Sequence, residues 1–232
     1  PERGNLAKEA GRMILKLLQS DIKPLDIITK ESLDNAFALD LAMGGSTNTI
    51  LHLLALAKEA GIEYGLDKVD ELAKRVPHLC KLSPSSNFHM EDFSAAGGVT
   101  AVLKELSKLG IVNLNQITVT TKTIGENIKE SKVLDARVIK PVEQPYSRTG
   151  GISVLYGNLA PEGAVVKVGA IDPSIRSHKG EAVVFNSEDE AIQGIKKGKV
   201  NSGDVVVIRY EGPKGGPGMP EMLAPTSLIV GM

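Results

Sequence analysis

Two hundred and thirty-two residues of 24.6 kDa can hold one large domain or two small ones. The 27 basic and 28 acidic side chains leave a formal charge of −1, which gives no long-range attraction to nucleic-acid backbones or anionic membranes. A single cysteine, Cys80, excludes an internal disulfide framework and any metal centre needing several thiolates from this chain, and it suits a reducing, cytoplasmic setting. Aromatic residues are only 3% and Trp is missing, so the core must be built from Ile, Leu, Val and Ala. No apolar run approaches the roughly 20 residues of a membrane span.

In chain order, Leu6 to Leu18 places Ala10, Met13, Ile14, Leu17 and Leu18 at helical spacing, and Lys30 to Met43 forms a second amphipathic helix. After Gly44-Gly45-Ser46-Thr47-Asn48, a helix is predicted over Thr49 to Ala60. It is apolar nearly all round, as expected of a buried element, with His52 as a core histidine and Gly61 as its stop. Asp67 to Arg75 and Val99 to Leu109 complete a helical half. From about residue 150 the pattern changes to short β-branched runs, Ile152 to Tyr156, Ala164 to Val168, Ala182 to Phe185 and Val205 to Tyr210. Ser187 to Glu190 opens a helix through Ile195. The residues from Asn113 to Thr149, with Pro141 and Pro145, read as a connection. Both ends fall inside apolar patterns, which predicts an interior piece of a longer polypeptide.

Two segments stand out chemically. In Gly44 to Thr49, the glycines permit close backbone approach, and Ser46, Thr47 and Asn48 precede a helix whose amides can hold a carboxylate or phosphate; the alternative is a glycine break with an ordinary N-cap. Gly212-Pro213-Lys214-Gly215-Gly216-Pro217-Gly218-Met219-Pro220-Glu221 follows a strong strand and can be neither helix nor central strand. Glu221 is either a ligand for a hard cation such as Mg²⁺ or a solvent-facing glutamate at a helix start. His89-Met90-Glu91-Asp92 is a weak metal pattern and reads better as a capped loop. Cys80, after Pro77 and His78, reads as a small buried hydrophobe.

Five blocks in order, Met43 to Thr49, Leu51-His52-Leu53-Leu54, His89 to Asp92 with Ala96-Gly97-Gly98, Gly151 to Asn158 and Gly203 to Met219, resemble the dihydroxy-acid/6-phosphogluconate dehydratase family, on its dihydroxy-acid branch. The resemblance implies an α/β (α+β overall) protein. Residues 1–148 are then the later part of an α-rich N-terminal domain, and 149–232 the first part of a β-barrel-like C-terminal domain. It implies dehydration of a small 2,3-dihydroxy carboxylate with an iron–sulfur cluster, 2Fe-2S or 4Fe-4S, and Mg²⁺, in a homodimer or homotetramer with no nucleic-acid or membrane partner. Of the family's site residues, only Glu221 matches a Mg²⁺ ligand. The cluster cysteines, two acidic Mg²⁺ ligands and a modified lysine belong before Pro1, and the base serine beyond Met232. No catalytic residue is therefore expected in this chain, and Ser46, Thr47 and Asn48 are its candidate cleft-lining residues. The alternatives are a sugar-acid dehydratase, acting on 6-phosphogluconate or an aldonic acid, and a non-catalytic interaction or regulatory piece.

Overall fold

A computed structural model describes residues 2–83, 85–212 and 221–231. The chain divides into two compact units, Pro1–Ile171 and Asp172–Met232. The first is mostly helical, with α1 (Glu2–Gln19), α2 (Pro24–Ile27), α3 (Lys30–Met43), α4 (Thr47–Glu59), α5 (Leu66–Arg75), α6 (Met90–Ala95), α7 (Gly98–Ser107) and α8 (Ile124–Asn127), followed by the hairpin β1 (Ser153–Gly157) and β2 (Ala160–Val166).

The centre of this unit is α3. Its start is fixed by Thr29, whose side chain accepts a hydrogen bond from the Ser32 N–H at 3.1 Å while the Thr29 N–H donates to the Ser32 hydroxyl at 2.9 Å. Leu33, Phe37, Ala38, Leu41 and Ala42 are buried along it and meet Val69, Leu72 and Ala73 of α5 and Val102 and Leu106 of α7 in one core. The Phe37 ring stacks on Tyr64 at 5.0 Å, and the Tyr64 hydroxyl donates to Asp34. Two buried polar side chains tie in the connecting stretch. Asn35 exchanges hydrogen bonds with the Asn113 backbone at 2.7 and 2.9 Å. Glu105 accepts from the Val142 N–H at 3.1 Å and pairs with Lys108 at 2.6 Å. Ile128, Val138 and Ile139, all in the stretch read as a connection, are therefore core residues.

α1 forms as the spacing predicts, but Leu17 is its one buried hydrophobe among the described residues; Ile14 and Leu18 lie on the surface. α4 also buries less than its composition suggests. Only Ile50 and Ala57 are inside, and His52 is exposed rather than a core histidine. β2 starts four residues before the predicted strand, because Pro161 and Gly163 sit in an antiparallel hairpin edge where a missing donor is tolerated.

The second unit holds β3 (Ala182–Phe185), α9 (Glu188–Lys196), β4 (Val205–Ile208) and α10 (Leu223–Val230). β3 and β4 pair in parallel with α9 as the crossover, and Phe185, Ala191, Ile195 and Val200 form its core. Ser187 caps α9 by accepting from the Glu190 N–H, while Glu190 takes the Asn186 N–H instead of closing the box on Ser187. The described strands form two pairs, β1 with β2 and β3 with β4.

One close approach holds the first unit together. A Cβ on Gly151 would lie 2.6 Å from the Gly44 Cα and 2.9 Å from His78 Nε2. Since backbone cannot retreat like a flexible side chain, Gly151→Ala is expected to cost about 2–3 kcal/mol, seen as a lower urea midpoint. Gly157→Ala, with nothing within 4 Å of its Cβ, should stay within about 1 kcal/mol of wild type.

Candidate functional site

The turn between α3 and α4 is closely packed on both sides, by Asp40 and by His78. Gly44 takes φ 57° and ψ 47°, a left-handed conformation that closes α3, and its N–H returns to the Leu41 carbonyl. Gly45 donates to the Asp40 carbonyl at 2.9 Å. Ser46 then caps α4 by accepting from the Asn48 N–H at 3.2 Å. Ser46 is exposed and Thr47, Asn48 and Thr49 are half-buried, so the face of the turn reaches solvent.

Asp40 is packed behind this turn and only 8% exposed. Its Oδ1 accepts the Ser46 N–H at 3.2 Å, while Oδ2 is buried with no hydrogen-bond partner. A side chain at 45 would strike that carboxylate, which explains a second consecutive glycine. Burial pushes the Asp40 carboxyl up to about 6. The Ser46 N–H, the nearby Thr49 hydroxyl and the Lys167 charge pull the other way without completing a bond to Oδ2.

His78 occupies the other side of Gly44. It is 5% exposed, and Cβ atoms at 44, 151 or 169 would each come within 2.5–3.0 Å of its ring. Burial, with the positive charges of Lys81 and Lys167, lowers it to about 4, so the imidazole is neutral at physiological pH. Tyr146 lies 5.9 Å from it, with the Lys81 and Lys140 ammonium groups 4.9 and 5.5 Å from the Tyr146 ring centroid.

Glu221 belongs to the second unit. It is exposed and lies two residues before α10. The remainder of the glycine-proline segment, residues 213–220, falls outside the described residues. At its root, Glu211 accepts the Glu188 N–H of α9 at 2.6 Å, and the Arg209 Nε donates to Asn186 at 2.6 Å. His89 and Asp92 form a helix start, in which Asp92 accepts the His89 N–H at 2.8 Å.

Among the described residues, no three His, Cys, Asp or Glu side chains gather where they could hold a metal ion. Cys80 is fully buried and its thiol is pushed up to about 12, the state of a packed hydrophobe rather than a ligand. The described residues of this chain therefore do not fit an iron–sulfur cluster. Glu221 can offer one carboxylate oxygen to a hard cation, whose other ligands must come from elsewhere. Among the described residues, no helix is long and apolar enough to cross a membrane.

Residues 1–127 match the profile of the dihydroxy-acid/6-phosphogluconate dehydratase N-terminal domain, and residues 137–232 that of the C-terminal domain. With both profiles matched in order, the chain belongs to the dihydroxy-acid/6-phosphogluconate dehydratase family. It is 57% identical over 232 residues to the dihydroxy-acid dehydratase of Aquifex aeolicus, and 58% identical over 231 residues to that of Caldanaerobacter subterraneus subsp. tengcongensis. All of this chain is covered in each case, and it spans 42% of the length of each relative.

Asp40 and His78 carry opposite pH dependences. The raised Asp40 pKa contributes stability that is present below about pH 4 and is lost as pH rises through about 6. The depressed His78 pKa contributes stability that is present above about 6.5 and is lost as pH falls toward about 4. Asp40→Asn isolates the first: relative to wild type it should gain roughly 2 kcal/mol between pH 4 and pH 7.5. Urea midpoints of both proteins at the two pH values measure it, and parallel pH profiles would contradict the assignment.

Proposed function

We propose that this chain is part of a dihydroxy-acid dehydratase, a hydro-lyase acting on 2,3-dihydroxy-3-methyl carboxylates such as 2,3-dihydroxyisovalerate in valine, isoleucine and leucine synthesis. The observation that carries the reading is 57–58% identity, running the length of the chain, to two proteins of that name. In this reaction the C2 proton is removed, the C3–O bond breaks and the hydroxyl leaves as water. The resulting enol takes up a proton to become the 2-keto acid.

Within this reading the chain's own contribution is limited. Glu221 gives a carboxylate oxygen to a Mg²⁺ that, when bound, stabilises negative charge developing on the substrate. Ser46, Thr47 and Asn48 line the cleft from the α4 side. The iron–sulfur ligands, the remaining Mg²⁺ ligands and the base serine are assigned to parts of the family's polypeptide outside these 232 residues. The 232 residues by themselves are accordingly expected to show neither turnover nor cluster absorbance. The family's domain division is placed near 148/149, and the working assembly is a cytoplasmic homodimer or homotetramer.

The full-length protein should turn over 2,3-dihydroxyisovalerate far faster than 6-phosphogluconate or an aldonic acid. The reverse order would move it to the sugar-acid branch. Glu221→Gln should lower kcat by about tenfold or more and raise the Mg²⁺ concentration needed for half-maximal rate. Unchanged Mg²⁺ dependence in that variant would remove Glu221 from the metal site.

A further inference from the structure

Where α3 packs beside α5, charges of both signs recur at helical spacing. Glu31, Asp34 and Asn35 stand three and four positions apart on one face of α3, and Lys68, Leu72 and Arg75 share a face of α5 in the same way. The loop after α7 closes a third side. It is pinned to α3 by the reciprocal Asn35–Asn113 hydrogen bonds at 2.7 and 2.9 Å, and it adds Ile111 and Val112 to the lining. These three stretches enclose a cleft of about 290 Å³.

The charges that line this cleft are not matched to one another. Lys68 is bonded to Glu71 at 2.8 Å, and Asp34 accepts the Tyr64 hydroxyl. Arg75 reaches the same Glu71 only at 3.6 Å, too far for a hydrogen bond, so its guanidinium fork keeps its donors. Glu31 has no hydrogen-bond or ion-pair partner among the described residues. The dipole of α3 accounts for an acid in its first turn, but not for an uncommitted guanidinium in the same cleft. A lone anion there would meet Glu31 and Asp34, and a lone cation would meet Lys68 and Arg75. A ligand carrying both charges satisfies both sets, while Leu72, Ile111 and Val112 offer a surface to an uncharged substituent.

We propose that this cleft is a binding site for a small zwitterion, an α-amino acid with an aliphatic side chain. The ammonium sits on Glu31 and Asp34, the carboxylate on Arg75, and the side chain against Leu72, Ile111 and Val112. Apolar walls beside the charges strengthen both pairings. Glu31 lies about 20 Å along α3 from Gly44, and the site does not rest on the dehydratase reading.

The test is isothermal titration calorimetry of the full-length protein at neutral pH with L-leucine and two analogues: 4-methylpentanoate, which lacks the ammonium, and 3-methylbutylamine, which lacks the carboxylate. L-Leucine should bind with a Kd of about 1 mM or tighter, and each analogue at least about tenfold more weakly. Glu31→Gln and Arg75→Gln, both at exposed positions, should each weaken L-leucine binding at least about tenfold. Lys74→Gln, whose lysine pairs with Asp70 and does not line the cleft, should leave it unchanged. Absence of L-leucine binding at about 10 mM, analogues that bind as tightly as L-leucine, wild-type affinity in either cleft variant, or an equal loss in Lys74→Gln would each overturn the proposal. Turnover on 2,3-dihydroxyisovalerate is a separate measurement, so a failed dehydratase reading and a failed zwitterion site give different results.

Discussion

The last turn of α3 is where the first unit is joined. A helix leaves its final carbonyls without intrahelical partners, and here each of three is claimed by a different piece of chain. The Asp40 carbonyl accepts the Gly45 N–H, the Leu41 carbonyl accepts Gly151 at 2.9 Å, and the Ala42 carbonyl accepts Leu79 at 2.7 Å. The 78–80 segment in turn receives Lys140 on the Leu79 carbonyl, so the long connection is docked through the same helix end. These bonds draw four stretches of backbone to within van der Waals distance, and the glycines at 44, 45 and 151 follow from that crowding. Adding a methyl group at any of the three means pushing backbone, an imidazole or a buried carboxylate.

The same crowding sets the electrostatics. Asp40 and His78 are enclosed because the chain segments around them are pressed together, and enclosure moves both toward their neutral forms. The two shifts act in opposite pH directions, so their contributions to acid stability partly cancel between about pH 4 and 6.5. Lys167 acts on both and helps to keep the carboxylate charged and the imidazole uncharged.

The helices are legible in the sequence where local pattern and burial agree. The bounds of α3, Lys30–Met43, follow from Thr29 and Gly44 at its ends and an apolar stripe between them. β3, Ala182–Phe185, follows likewise from a β-branched run. Local pattern says less where burial depends on distant partners. α4 carries leucines on every side, yet its neighbours fully bury only Ile50 and Ala57, and His52 lies in solvent. The Gly44–Asn48 turn is visible as a motif, but the residue that defines its charge is not. Asp40 lies six positions before Ser46 and resembles any other polar residue of α3. It does carry a signal: an acid flanked by Phe37, Ala38, Leu41 and Ala42 sits on the buried stripe and demands a partner. Glu211 offers no such signal, because its contact with the start of α9 depends on how β4 is aligned beside β3.

The pairing of Phe37 with Tyr64 has a spectroscopic consequence. With no Trp in the chain, ultraviolet emission comes from four tyrosines. Tyr156 and Tyr210 are more than half exposed, whereas Tyr64 is stacked on a buried ring and hydrogen-bonded to a carboxylate, an arrangement that quenches phenol fluorescence. Loss of the α3 packing therefore brightens the protein, and tyrosine emission becomes a built-in, label-free reporter of whether the helical unit is intact.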